Sequence, residues 1–292
     1  MFEGCYVAMI TDFKDGRVNL DGMRRLARRL IDGGASGLVP AGCTGEAATL
    51  SPDERLEIIQ AVLEERGKAP GVKVVPGTGT NSTASTIELT KMAEDAGADG
   101  VLLITPYYNK PTQAGLVKHY ETVADRVRLP IMLYNVPSRT GVNMLPETVA
   151  TLAKIDNIVA VKEASGSLDQ VSRIAATSDI EILSGDDSLT LPMLAVGARG
   201  VVSVVANVVP DRVSKMVESF RKGRIEDARA AHLKLLDLFH VLFIETNPGP
   251  VKAALEMLGE STGELRLPLV PVADESRQRV RRVLQELGLL RT

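Results

Sequence analysis

Short apolar runs alternate with amphipathic segments along most of this chain. The runs are rich in β-branched residues and cover residues 5–10, 37–42, 72–77, 100–106, 130–136, 158–164, 181–187 and 200–206. Runs with few interspersed polar positions are typical of parallel strands that are covered on both faces. Between the first two runs, Met23, Leu26, Ala27 and Leu30 recur at helical spacing. The pattern therefore predicts strands and helices in alternation.

Local signals mark where several of these helices begin and end. The sequence Ser-Pro-Asp-Glu at 51–54 is the capping-box pattern that starts a helix. A Gly-Ala-x-Gly sequence recurs at 34–37, 97–100 and 197–200, each time between a helical pattern and an apolar run. Its first glycine suits a left-handed helix stop, and its second lets the chain turn closely into the next strand.

Eight strand–helix units in one chain predict the α/β class and, within it, a closed (β/α)8 TIM barrel. The alternative is an open doubly wound sheet, although no Gly-x-Gly-x-x-Gly follows the first strand. We expect the barrel to cover residues 1–223. Residues 224–292 are expected to form a C-terminal helical extension that packs on the barrel, so that the chain is a single structural unit.

The composition narrows the range of partners. A formal net charge of −3 argues against nucleic acid as a binding partner, since nucleic acid is itself negatively charged. No run approaches the roughly 20 apolar residues that span a bilayer, and the N-terminus lacks a secretory pattern. We therefore expect no membrane partner and a cytoplasmic location. Two cysteines, Cys5 and Cys43, fit a reducing compartment. No histidine has metal-ligand spacing, so we expect no metal.

Lys162 is the main candidate for chemistry. Functional groups of such barrels lie at the C-terminal ends of the strands. Lys162 follows the apolar run that begins at Ile158, and no other lysine occupies a strand's C-terminal end. Burial there would lower the pKa of the ammonium and leave a free amine that can attack a ketone. The alternative is that Lys162 pairs with Glu163 and only stabilises the fold.

Other polar residues also follow predicted strands. Tyr107, Tyr108 and Tyr134 carry phenols that can move protons, although a phenol can equally pack with its hydroxyl bonded. Arg139 either binds a carboxylate through two hydrogen bonds or is a surface arginine without such a role. The glycines of 42–46 let backbone amides approach an anion, or they only make a tight turn.

Three carboxylates, Glu46, Asp186 and Asp187, leave a metal-assisted lyase as an alternative. The two aspartates are adjacent, however, so their side chains point to opposite sides. One of them can instead cap the helix that follows.

Taken together, the strand-end motifs resemble the dihydrodipicolinate synthase / N-acetylneuraminate lyase family. The motifs are Gly-x-Thr-Gly-Glu at 42–46, Pro-Tyr-Tyr-Asn-Lys-Pro-Thr-Gln at 106–113, Tyr-Asn-Val-Pro-Ser-Arg-Thr-Gly at 134–141, Val-Lys-Glu-Ala at 161–164 and Ser-Gly-Asp-Asp at 184–187. The resemblance covers essentially the whole chain. It implies a class I lyase, without a cofactor, that condenses pyruvate with L-aspartate 4-semialdehyde to 4-hydroxy-tetrahydrodipicolinate in diaminopimelate and lysine biosynthesis.

The resemblance also implies a role for each strand-end residue. Lys162 would form the imine with pyruvate, and Tyr134 would relay protons to and from it. Thr44 would hold the pyruvate carboxylate, and the backbones of Gly185 and Val202 would line the pocket.

Two further residues are implied to serve the second substrate and the assembly. Arg139 would bind the carboxylate of the semialdehyde. Tyr108 would reach across a dimer contact into the neighbouring site, which implies a homotetramer built as a dimer of dimers.

Cys43 departs from the family pattern, which has a threonine that links two tyrosines in a proton relay. A thiol is a weaker hydrogen-bond donor and acceptor than a hydroxyl. One alternative is therefore a non-catalytic pyruvate-binding homologue. Another is a different pyruvate-dependent aldolase of the same family, a 2-oxo acid or sugar-acid aldolase, that uses another aldehyde. Arg139 argues against this alternative.

Overall fold

Eight parallel strands form the centre of the computed structural model, which describes residues 1–291. They are β1 (Gly4–Ala8), β2 (Gly37–Val39), β3 (Lys73–Val74), β4 (Val101–Ile104), β5 (Ile131–Asn135), β6 (Ile158–Glu163), β7 (Glu181–Ser184) and β8 (Gly200–Ser203). The sheet has the order β3-β2-β1-β8-β7-β6-β5-β4.

The two outer strands of this order also meet. The Leu102 amide donates to the Pro76 carbonyl at 2.9 Å, and the Thr78 amide donates to the Leu102 carbonyl at 3.1 Å. Gly79 makes the close approach possible, because a Cβ atom there would lie 2.4 Å from the Ile104 nitrogen. The sheet is therefore closed, as predicted, and the open doubly wound alternative is wrong.

Each strand is followed by at least one helix. The helices are α1 (Leu20–Asp32), α2 (Pro52–Arg66), α3 (Thr83–Asp95), α4 (Gln113–Ala124), α5 (Pro137–Thr140), α6 (Pro146–Leu152), α7 (Leu168–Thr177), α8 (Thr190–Ala195), α9 (Pro210–Arg221), α10 (Ile225–Val241), α11 (Gly249–Met257) and α12 (Asp274–Glu286). A small antiparallel ribbon, Phe13–Lys14 with Arg17–Val18, lies between β1 and α1.

The predicted helix signals are confirmed. Ser51 and Glu54 form both hydrogen bonds of the capping box at the start of α2. The first glycine of each Gly-Ala-x-Gly repeat is left-handed, with φ of 83° at Gly34, 89° at Gly97 and 114° at Gly197. These positions tolerate a side chain poorly, since the left-handed region favours glycine.

Two strands are shorter than their apolar runs. The runs at 37–42 and 72–77 predict longer strands than β2 and β3, which end at Val39 and Val74. Each run contains a proline, Pro40 or Pro76, just beyond the observed end. A proline has no amide hydrogen to donate to the neighbouring strand, so regular pairing stops there.

The C-terminal extension is helical only in part. The segments 242–248 and 258–273 lie outside α10, α11 and α12, and they contain prolines that cannot continue a helix. The helix α10 packs against α9, with Leu235, Leu238 and Phe239 buried. No helix within residues 1–291 is both long and apolar enough to cross a membrane.

Candidate active site

A cavity of about 340 Å³ lies at the C-terminal ends of the strands. Its lining includes Cys43 from the loop after β2, Tyr107 from the loop after β4 and Tyr134 from β5. Arg139 and Asn247 also line the cavity. The cavity is therefore at the end of the barrel where the sequence placed the candidate residues.

Lys162 lies beside Tyr134 within the barrel. The two residues are register partners on adjacent strands, and the Lys162 Nζ is 4.1 Å from the centre of the Tyr134 ring. Lys162 is only 5% exposed. Within residues 1–291 its amine makes no hydrogen bond and no ion pair, so it has no partner that would occupy it.

Glu163 does not pair with Lys162, contrary to the stabilising alternative. Its carboxylate accepts from Asn135 Nδ2 at 3.0 Å, from the Ser165 amide at 2.7 Å and from Gln170 Nε2 at 3.2 Å. Adjacent residues of a strand point to opposite faces. Glu163 therefore faces a polar network outside the barrel interior, while Lys162 faces inward.

Burial lowers the pKa of Lys162 to about 8, while Cys43 and Asp187 oppose this shift and Arg139 adds to it. The cause is the loss of solvation, which disfavours the charged ammonium. At pH 8 about half of the molecules therefore carry a free amine at this position. A buried amine without a partner and with a lowered pKa is suited to nucleophilic attack on a carbonyl carbon.

We expect kcat/KM for the carbonyl substrate to rise with pH up to about 8 and then level off. The free amine is the reactive form, so each pH unit below that pKa should lower the rate about tenfold. Initial rates from pH 6 to 9.5 check this. A flat profile below pH 8, or a midpoint near the ordinary lysine value, would contradict the assignment of Lys162 as the nucleophile.

Tyr134 supplies a protonated phenol next to this amine. Burial raises the pKa of Tyr134 well above its ordinary value, the neighbouring Cys43 thiol adds to the rise, and Arg139 opposes it. The hydroxyl therefore keeps its proton near neutral pH and can donate it. Cys43 is half-buried and lines the same cavity.

Two more of the predicted site residues have defined contacts: Thr44 with Asn247, and Gly185 with Lys162. Thr44 is buried, and its Oγ1 receives a hydrogen bond from Asn247 Nδ2 at 3.0 Å. At Gly185 an added Cβ atom would lie 2.7 Å from Ala164 Cβ and 3.1 Å from Lys162 Cε, so a larger residue would displace one of these side chains. Val202 is buried on β8, one residue beyond the Val201–Ser184 pair.

Arg139 lies on the one-turn helix α5, and its side chain is exposed at the edge of the cavity. The Nη2 atom donates to the Asn247 carbonyl at 3.2 Å. The remaining guanidinium donors are available to a carboxylate.

The two adjacent tyrosines differ in position. Tyr107 lines the cavity, whereas Tyr108 is 88% exposed. Tyr108 has φ of 72°, a left-handed conformation that a bulky residue seldom adopts. The loop therefore presents an aromatic ring to the outside of the subunit at the expense of backbone strain.

The three carboxylates of the metal alternative are not brought together. Glu46 forms a buried ion pair with Lys252. Asp186 caps the turn after β7 by accepting from the Ser188 amide at 3.2 Å, as one of the two aspartates was expected to do. Asp187 accepts from Ser203 and from the Val204 amide. The described residues contain no group of three or more His, Cys, Asp or Glu that could hold a metal.

The sequence reasoning missed Asn247 and Lys252, which both come from the C-terminal extension. The segment Asn-Pro-Gly-Pro at 247–250 breaks the apolar helical pattern that precedes it. This break was a signal for a loop, although nothing in the sequence indicated that the loop reaches the barrel mouth.

Known proteins resemble the chain over its whole length. The sequence model of the Dihydrodipicolinate synthetase family matches residues 1–287. A 4-hydroxy-tetrahydrodipicolinate synthase of Geobacter sulfurreducens is 50% identical over 292 residues, which cover 99% of this chain and 100% of the relative.

Solved structures show the same architecture. Dihydrodipicolinate synthase from Thermotoga maritima matches with a TM-score of 0.97 and 44% identity, and the match covers 99% of this chain and 100% of the other. A structure described as a monomeric dihydrodipicolinate synthase variant matches with a TM-score of 0.97 and 43% identity, over 99% and 98% of the two chains.

Proposed function

The chain belongs to the dihydrodipicolinate synthetase family, and we propose that Lys162 is the residue through which it performs this family's chemistry. The activity is that of a 4-hydroxy-tetrahydrodipicolinate synthase, a lyase that joins pyruvate to L-aspartate 4-semialdehyde. The observation that carries the proposal is the buried, unpaired amine of Lys162 next to the Tyr134 ring. It provides a nucleophile with a proton donor beside it.

The proposed reaction begins at the pyruvate ketone. The free amine of Lys162 adds to the carbonyl carbon, and loss of water gives the imine. Tyr134 supplies and removes the protons of these steps. Thr44 donates its hydroxyl proton to the pyruvate carboxylate, and the backbones of Gly185 and Val202 bound the space around the imine.

The second half joins the two substrates. The methyl group of the imine loses a proton, and the resulting enamine attacks the aldehyde carbon. The amino group of the semialdehyde then adds to the imine carbon and expels the Lys162 amine, which closes the ring. Arg139 holds the carboxylate of the semialdehyde during these steps.

Reduction with borohydride in the presence of pyruvate tests the proposal directly. Borohydride converts an imine to a stable secondary amine, so the enzyme should be inactivated and the peptide that contains Lys162 should gain the mass of the reduced adduct. In a separate assay, untreated enzyme is tested for consumption of the semialdehyde and formation of the product. Labelling of a different lysine, or activity that survives the treatment, would refute the assignment.

Arg139→Ala is expected to raise KM for the semialdehyde about 10- to 100-fold while imine trapping with pyruvate stays unchanged. The reason is the loss of a charge-assisted contact to the carboxylate of the second substrate only. Steady-state kinetics with each substrate varied in turn give the two constants. Arg139→Lys is the control and should recover part of the affinity. Loss of imine trapping would place Arg139 in the pyruvate site instead.

Cys43→Thr is expected to turn over at least as fast as the unmodified enzyme. A threonine hydroxyl donates and accepts hydrogen bonds better than the thiol and would strengthen proton transfer to Tyr134. The comparison of kcat at saturating substrates decides the matter. A fall of tenfold or more, about 1.4 kcal/mol of barrier, would mean that the thiol has a role that a hydroxyl cannot take.

We also propose that the subunits assemble as a homotetramer, a dimer of dimers, in which Tyr108 reaches the site of a neighbour. The exposed ring and the left-handed backbone of Tyr108 support a contact outside the subunit. One similar structure is described as monomeric, so membership of the family does not fix the assembly. Sedimentation analysis of the purified protein and of its Tyr108→Ala variant measures the oligomeric state of each.

A further inference from the structure

Asn247 lies in the segment between α10 and α11 and lines the cavity. It is 6% exposed. Its Nδ2 donates to Thr44 Oγ1 at 3.0 Å, and its main-chain oxygen accepts from Arg139 Nη2 at 3.2 Å. One residue thus contacts both the threonine assigned to pyruvate and the arginine assigned to the semialdehyde.

The side-chain oxygen of Asn247, Oδ1, is buried and has no hydrogen-bond partner within residues 1–291. The orientation of the amide follows from Thr44. Because the Thr44 hydroxyl donates its single proton to the pyruvate carboxylate, it must accept from the Asn247 NH₂ group. Oδ1 is therefore the side-chain acceptor that is left for a ligand, and it needs a donor.

The second substrate has the head group of an α-amino acid, in which the carboxylate and the ammonium are attached to one carbon. When Arg139 binds this carboxylate, the ammonium must lie near groups that contact Arg139. Asn247 is such a group and offers an acceptor, whereas a guanidinium offers only donors.

We propose that Asn247 Oδ1 accepts a hydrogen bond from the amino group of the aldehyde substrate and thereby selects a 2-amino aldehyde. This inference rests on the proposed function. The amino group is also the nucleophile that closes the ring. Held by a residue that contacts Thr44, it lies close to the pyruvate-derived carbon that it attacks. An ammonium has no lone pair, so the amine loses a proton to solvent before it attacks, and the amide oxygen only orients it.

The test compares two ligands that differ only in this amino group. In the enzyme with saturating pyruvate, KM is measured for L-aspartate 4-semialdehyde, and the inhibition constant is measured for succinate semialdehyde, which lacks the amine. Asn247→Ala should raise the first constant about 10- to 100-fold and change the second less than about threefold. The main-chain oxygen that binds Arg139 remains in this variant. An equal change in both constants, or no change in either, overturns the proposal.

Further variants separate the contacts of Asn247. Asn247→Asp keeps an acceptor but loses the donor to Thr44, so it should raise KM for pyruvate and retain the preference for the amine. If Asn247→Ala does not fold, Asn247→Leu takes its place, and the same changes in KM and in the inhibition constant are expected. Asn157→Ala is the matched control and should leave the preference unchanged, because within residues 1–291 this amide bonds only the Ala124 and Val127 carbonyls.

Borohydride trapping of pyruvate in each protein distinguishes the two possible failures. If the unmodified enzyme forms no adduct on Lys162, the proposed function is wrong. If the adduct forms but the preference for the amine does not depend on Asn247, only the present assignment is wrong.

Discussion

Lys162→Ala should lose at least about a thousandfold in turnover, a loss of ~4 kcal/mol of transition-state stabilisation. It should also form no borohydride adduct with pyruvate, because the amine that we propose as the nucleophile is absent. The fold should persist, since the Lys162 amine has no hydrogen bond or ion pair to lose within residues 1–291. Turnover, adduct mass and the thermal unfolding midpoint are measured on the same preparation.

Two variants make this result specific. Lys162→Met keeps most of the volume without the amine, so it should be as inactive as alanine and at least as stable. Lys154→Ala removes an exposed lysine just before β6 and should keep full turnover and normal adduct formation. An active Lys162→Met enzyme would show that the chemistry does not need this amine.

Lys252→Met should lower the free energy of unfolding by about 3–5 kcal/mol, because it leaves the Glu46 carboxylate buried without its counter-charge. Lys252 is fully buried. Its ammonium contacts Glu46, donates to the Glu264 carbonyl at 2.6 Å and lies 4.4 Å from the centre of the Phe13 ring. Glu46 also accepts from the Arg266 amide at 3.0 Å. Urea unfolding followed by circular dichroism measures the loss.

A double variant isolates the charge from the packing. Glu46→Gln together with Lys252→Met removes both charges and keeps an acceptor for the Arg266 amide, so it should recover most of the lost stability. Lys222→Met breaks an exposed pair with Glu218 and should leave stability unchanged, because water already solvates both groups. If the double variant is no more stable than Lys252→Met, the unpaired carboxylate is not the cause.

The barrel could be predicted from the sequence because each of its parts has a local signal. The apolar runs, the capping box at Ser51 and the helix stop at Gly34 depend only on neighbouring residues. The shortening of β2 and β3 also has a local cause in Pro40 and Pro76. The apolar run alone predicts a longer strand, because apolar character does not reveal the missing amide hydrogen.

The candidate site was predictable in the part that the strands supply. A fold rule places Lys162 and Tyr134 at the barrel mouth, and the structure brings them together. The contributions of Asn247 and Lys252 could not be predicted in this way, because they come from loops and helices beyond the last strand. Which distant side chain fills a given buried position depends on packing across the whole chain, for which the sequence has no local pattern.

The ion pair of Glu46 and Lys252 joins residues that are 206 positions apart, which has a consequence for the order of synthesis. On the ribosome, Glu46 leaves the exit tunnel long before Lys252 has been translated. Until then the loop that carries Cys43 and Thr44 has neither the counter-charge nor the Asn247 amide. The barrel mouth can therefore take its final shape only after residues 247 to 252 have been made. A chain arrested before Asn247 would contain Lys162 but would lack the contacts that Asn247 and Lys252 make with the loop of Cys43 and Thr44.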